Sequence, residues 1–155
     1  MNKIYTRMDA GTNQQFHAKK SLGQNFLVNR VVIDRIINAS HLEPQDIVIE
    51  IGPGQGVLTQ RIAPRVEKVF AIEKDRFLIE KLNADFNGSN VEIVHGDFLE
   101  FDLSAFDRPV KIVGNVPYNI STPIITKILE NRRYISRAYF TLQLEFADIP
   151  QRLLQ

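Results

Sequence analysis

The sequence predicts an α/β protein with a mostly parallel sheet and helices on both faces. Two observations predict it. Short runs rich in valine and isoleucine alternate with longer runs whose apolar residues recur at helical spacing. The unusual residues, glycines, acids and amides, cluster just after the short runs, where the strands of such a sheet present their ligand-binding ends. A length of 155 residues suits one ordinary domain, and 44% hydrophobic with 24% charged residues is a globular composition.

The elements follow in order. "NRVVIDRIINAS" places Val32 with Ile36 and Ile33 with Ile37 on one helical face, with Asn29 as its N-cap. "DIVIEIG" is a short buried strand ending at glycine, and "GVLTQRIA" a helix stopped near Pro64. "VEKVFAIE" is the second strand, and "DRFLIEKLNADF" a helix ended by Asn87 and Gly88. "VEIVHGD" and "PVKIVGN" are the third and fourth strands. Thr122 and Pro123 fit an N-cap and first helical residue opening "PIITKILEN", and "RAYFTLQ" is the fifth strand.

Composition excludes some classes. There is no cysteine, hence no disulfide or thiolate metal site, which fits a reducing compartment such as the cytoplasm. No apolar run approaches the length of a membrane helix, and the first twenty residues lack an apolar signal core. The net charge of +1 hides an asymmetry: residues 1–40 hold six basic side chains against two acidic, and the rest thirteen against sixteen. Residues 1–18 read as a flexible basic arm, suited either to a polyanion or simply to solubility.

Four strand tips carry candidate chemistry. The first is Glu50-Ile-Gly52-Pro-Gly54-Gln-Gly56, whose glycines permit a tight turn and close approach of a ligand to the backbone. The spacing is not that of dinucleotide binders, and no Lys-Ser/Thr follows as in a P-loop. With Glu50 ahead of the loop, a cationic or zwitterionic ligand end fits better than a phosphate; plain turn glycines are the alternative. At the second tip Glu73, 21 residues beyond Gly52, can accept both hydroxyls of a ribose, or be an ordinary loop acid. At the third, Asp97 can accept from an adenine amino group while Phe98 packs on the ring; otherwise this is a Gly-Asp turn beside a core phenylalanine.

The fourth tip is Asn115-Val116-Pro117-Tyr118. The Asn115 carbonyl can accept from an exocyclic amine, Pro117 stiffens the backbone, and Tyr118 offers a stacking ring worth about 1–3 kcal/mol per base. An aromatic amine is a weak nucleophile because its lone pair is delocalised. Accepting hydrogen bonds from its protons localises that pair and stabilises the charge that grows on nitrogen during attack on a sulfonium methyl, without metal or strong base. A turn capping a helix is the structural alternative.

The set "KKSLGQNFL", "EIGPGQG", "AIEKD", "GDFL" and "GNVPYNIS" resembles the ribosomal RNA adenine dimethyltransferase family, over about Lys19 to Ala147. The resemblance implies a Rossmann-like methyltransferase sheet, S-adenosylmethionine as cofactor, no metal, and transfer of two methyl groups to N6 of adenosines. The implied partner is ribosomal RNA or a pre-ribosomal small subunit in the cytoplasm, the small-subunit branch because "GNVPYNIS" is closer to it. It assigns Gln24, Asn25 and Leu27 to a segment closing over the methionine end, and Gly52 and Gly54 to its approach. Glu73 would hold the ribose, Asp97 the cofactor adenine, and Asn115, Pro117 and Tyr118 the target adenine, with Asn115 also lining the cofactor site. Lys19 and Lys20 would meet RNA phosphates, and the target base must be turned out of its stack.

The sequence departs from the family at Val116, where leucine is commoner, and at Leu144, where lysine is usual; Pro150 breaks the last helical pattern. The family continues with further strands and a helical RNA-binding domain, so residues 19–155 are expected to form a partial catalytic domain stopping after the fifth strand. Two other functions stay open: a noncatalytic RNA- or cofactor-binding module, and methylation of another amine such as DNA adenine or glutamine.

Overall fold

The computed structural model describes residues 30–116 and 120–141. Within them lie α1 (Arg30–Ala39), β1 (Ile47–Ile51), α2 (Val57–Ile62), β2 (Lys68–Glu73), α3 (Arg76–Asp85), β3 (Val91–His95), β4 (Val110–Asn115), α4 (Ser121–Glu130) and β5 (Ile135–Thr141). The five strands form one sheet in the order β3-β2-β1-β4-β5, and every adjacent pair is parallel. The expected α/β class and its five strands are present. β1, the first strand in the chain, is central, so all its residues but Ile47 are buried.

Alternation along the strands sorts the core into two layers. Val48, Val69 and Val113 face α1 and α2, meeting Ile33, Ile36, Ile37, Leu58 and Ile62. Ile49, Ile51, Ile72 and Ile112 face the other way, meeting Phe98, Leu103 and Ile124 of α4. Leu78 and Leu82 of α3, with Phe86 just after the helix, pack against Val91 and Ile93 of β3. Helices therefore cover both faces, as expected.

Local chemistry explains the boundaries. Asp75 caps α3 by accepting from Phe77 N–H at 3.0 Å. Pro64 lies in a 3-10 turn, Ala63–Arg65, that finishes α2. One boundary differs from the expectation: α4 starts at Ser121, so Thr122 and Pro123 lie inside its first turn and not at its cap. Proline is tolerated there because the first amides of a helix have no intrahelical partner. The Asn29 cap, the arm of residues 1–18 and the divergent residues Leu144 and Pro150 lie outside the described residues.

At the amino ends of the strands, buried Lys111 ties β4 to the loop after α1. Its Nζ donates to Asp46 Oδ2 at 2.7 Å and to the carbonyl of His41 at 2.5 Å. His41 holds a φ of 42°, the one positive φ among the described non-glycine residues. A cleft of about 610 Å³ opens at this edge, lined by His41, Asp46, Arg108 and Arg137 among others. None of the predicted site residues lines it.

Candidate active site

All strands being parallel, their carboxyl ends lie along one edge, and five of the predicted residues sit there. The loop after β1 turns through three left-handed glycines, Gly52, Gly54 and Gly56, at φ of 65°, 59° and 81°. Their roles differ. A Cβ on Gly56 would stand 2.8 Å from the Phe86 ring, so this glycine lets α2 approach α3. A Cβ on Gly52 would meet nothing within 4 Å, so its backbone borders open space that a ligand can enter.

Glu73 ends β2 beside this loop. Its Oε2 accepts from Gly54 N–H at 3.1 Å and its Oε1 from Asp75 N–H at 2.8 Å. The side chain is 5% exposed, and burial pushes its carboxyl above the usual range against the hydrogen bonds it accepts. The Lys74 backbone N–H bonds the same carboxylate, whose remaining acceptor capacity faces the sheet edge, where a ligand hydroxyl can meet it. Gly52 and Gly54 therefore come together with Glu73.

Glu50 is placed differently from what its position before the loop suggested. It is 1% exposed, faces inward, and accepts from Thr59 Oγ1 of α2 at 2.6 Å. Burial pushes its carboxyl up to about 7; the Thr59 bond opposes this and the Glu73 charge adds to it. Glu50 is thus a buried tie between β1 and α2, and not a surface anion awaiting a cation.

Beyond β3, the Gly96 N–H donates to the Glu73 carbonyl at 3.0 Å and brings Asp97 to the same edge. Asp97 caps the 3-10 turn Phe98–Glu100 through Leu99 N–H at 2.9 Å and pairs with Lys74 Nζ at 2.7 Å. Desolvation opposes its charge, but the bonds from Lys74 and Leu99 and the charges of Lys74 and Lys127 outweigh it and hold the carboxyl below the usual range. Phe98 is 2% exposed and belongs to the core, so the expected packing on a ligand ring gives way to the core alternative. Lys127 of α4 braces this turn by donating to the carbonyls of Leu99 and Phe101 at 2.8 and 2.7 Å. Sequence reasoning passed over Lys74 and Lys127, and no local pattern marks either.

Asn115 closes β4. Ile51 pairs with Ile72 on one side and Gly114 on the other, so Glu73 and Asn115 each stand one residue past a partner of Ile51. They flank β1 on strands two spacings, roughly 10 Å, apart. Strand alternation turns both toward the face of Val69 and Val113. The Asn115 Oδ1 accepts from the Thr141 hydroxyl of β5. Val116 is 7% exposed and packs in the core, so the valine-for-leucine difference is a matter of packing. Pro117, Tyr118, Gln24, Asn25, Leu27, Lys19 and Lys20 lie outside the described residues.

Among the described residues no group of acids and histidines could hold a metal ion, and no helix is long and apolar enough to cross a membrane. The sequence model of the family "Ribosomal RNA adenine dimethylase" matches residues 15–154. The chain belongs to this family. The ribosomal RNA small subunit methyltransferase A of Halothermothrix orenii is 45% identical over 151 residues, covering 89% of this chain and 50% of that protein. The 23S rRNA methyltransferase ErmE superposes with a TM-score of 0.72 at 36% identity, over 79% of this chain and 50% of that one. A dimethyladenosine transferase from Plasmodium falciparum gives 0.71 at 33%, over 84% and 46%. The chain spans about half the length of these three proteins.

Proposed function

We propose that this chain carries the site from which methyl groups pass from S-adenosylmethionine to N6 of adenosines in ribosomal RNA of the small subunit, in the cytoplasm. One observation carries the reading: Glu73, the open backbone of Gly52 and Asn115 stand together across β1 at one sheet edge. The small subunit is favoured by the name of the 45%-identical relative.

Bound S-adenosylmethionine supplies an electrophilic methyl on a sulfonium. The residues do the rest. Glu73 holds the ribose hydroxyls with its carboxylate, and the open backbone at Gly52, beside Gly54, admits the methionine end. Asp97 accepts from the cofactor adenine, and Gln24, Asn25 and Leu27 close over the donor. The Asn115 carbonyl accepts a hydrogen bond from the target amine, which localises the nitrogen lone pair and stabilises its developing positive charge; the methylated nitrogen then releases its proton to water. Pro117 holds the backbone beside it and Tyr118 stacks on the turned-out base, while Lys19 and Lys20 meet RNA phosphates.

The test is incubation with labelled methyl donor and unmethylated small-subunit RNA or pre-ribosomal particles, followed by nucleoside analysis. Dimethyladenosine is expected, and its yield falls at least 100-fold in Asn115→Ala while cofactor binding persists. Unchanged turnover in that variant would overturn the assignment, and binding without any turnover would favour a noncatalytic module.

A further inference from the structure

We infer that Thr141 is a positioning residue that sets the side-chain amide of Asn115, an inference that rests on the catalytic reading of Asn115 above. The two residues form the last rung of the β4–β5 ladder, paired in register. Register partners in a parallel sheet project to the same face, and here the Thr141 Oγ1 donates to the Asn115 Oδ1. Both side chains are half-buried, at the carboxyl edge that holds Glu73 and Gly52.

An asparagine needs such a partner to act as an acceptor toward an amine. The torsion that turns its amide is broad and soft, and its two ends differ: the oxygen accepts, the nitrogen donates. A half-turn would present N–H groups to an amine that itself needs acceptors. A hydroxyl bonded to Oδ1 fixes the amide plane, and with it the direction of the second in-plane lone pair of that oxygen. Threonine suits the place on two further counts. Its branched Cβ restricts the hydroxyl to few rotamers, and it is a good strand former at a strand end.

The alternative is a sheet-end hydrogen bond that holds β5 to β4 and nothing more. Serine and valine separate the two. Thr141→Val keeps the shape and strand preference but loses the hydroxyl; Thr141→Ser keeps the hydroxyl. In the full chain without cofactor, the Asn115 side-chain NH₂ signal is identified by its disappearance in Asn115→Asp. Its ¹⁵N order parameter is expected near the rigid level of about 0.85 in the parent, below about 0.6 in Thr141→Val, and restored in Thr141→Ser. In the methyl-transfer assay kcat is expected to fall about 3- to 10-fold in Thr141→Val, the worth of one neutral hydrogen bond, with the KM for S-adenosylmethionine unchanged and serine restoring the rate.

An equally ordered Asn115 amide in Thr141→Val overturns the inference, and so does a change in KM alone. The two levels fail separately. If the parent transfers no methyl group while the order parameters respond as expected, the coupling stands and the methyltransferase reading falls. If the parent is active and valine changes neither rate nor order, the methyltransferase reading stands and the role of Thr141 falls.

Discussion

The backbone N–H of Gly54 donates to Oε2 of Glu73 at 3.1 Å, so the loop after β1 is fastened to the tip of β2 by the side chain assigned to the ribose. Glu73→Gln keeps one acceptor oxygen and loses the charge. A hydrogen bond to a charged group contributes about 1.5–3 kcal/mol, so S-adenosylmethionine is expected to bind about 10- to 100-fold more weakly. Isothermal titration measures it; an unchanged Kd would remove Glu73 from the site.

Glycines of one loop are expected to fail differently. Gly56→Ala pushes a methyl group to 2.8 Å from the Phe86 ring at a φ of 81°, so it should destabilise the fold by about 2–4 kcal/mol of strain and overpacking. Gly52→Ala meets no atom within 4 Å and carries only the strain of its positive φ, about 1–2 kcal/mol. Its main effect is expected on cofactor affinity. Thermal melts beside titrations should show the two variants in opposite order for stability and for binding.

The buried Glu50 makes stability depend on pH. Its carboxyl lies at about 7 in the fold against 4.5 in the unfolded chain. The unfolded chain therefore releases its proton first as pH rises, and stability falls between pH 4.5 and 7 and is level above. The loss at pH 8 is about 3 kcal/mol from this group. Glu50→Gln retains an acceptor for Thr59 and removes the titration. The variant should melt no lower than the parent at pH 8 and show a flatter profile between pH 5 and 7. A steep profile surviving in the variant would assign it to another group.

Lys74 pairs with Asp97 at the surface, with side chains 55% and 25% exposed. Screened pairs of this kind contribute about 0–1 kcal/mol, so Lys74→Met should leave the melt nearly unchanged. The Asp97 carboxyl should nevertheless titrate at a higher pH than in the parent, seen by carbon-detected NMR. A large loss of stability without that shift would make Lys74 a structural brace.

The parts of this site visible in the sequence are those that chain order alone determines. Glu73 stands out because it ends a strand at a set distance from Gly52, and Asn115 because its neighbours make a rare combination. The partners were hidden because they depend on register and packing. Glu50 reads only as an acid ahead of the glycine loop until Thr59 of α2 is seen to meet it. Thr141 is an unremarkable strand residue until the ladder sets it against Asn115. The start of α4 is hidden for a related reason: proline is allowed anywhere in a first turn, so Pro123 does not locate it.

Lys111 gives the last consequence. It clamps β4 through Asp46 and the His41 carbonyl at the end of the strand remote from Asn115. The strand thus resembles a post set firmly in the ground with its working fitting at the top. A change of core packing near the fitting, such as valine in place of leucine at Val116, leaves that footing in place.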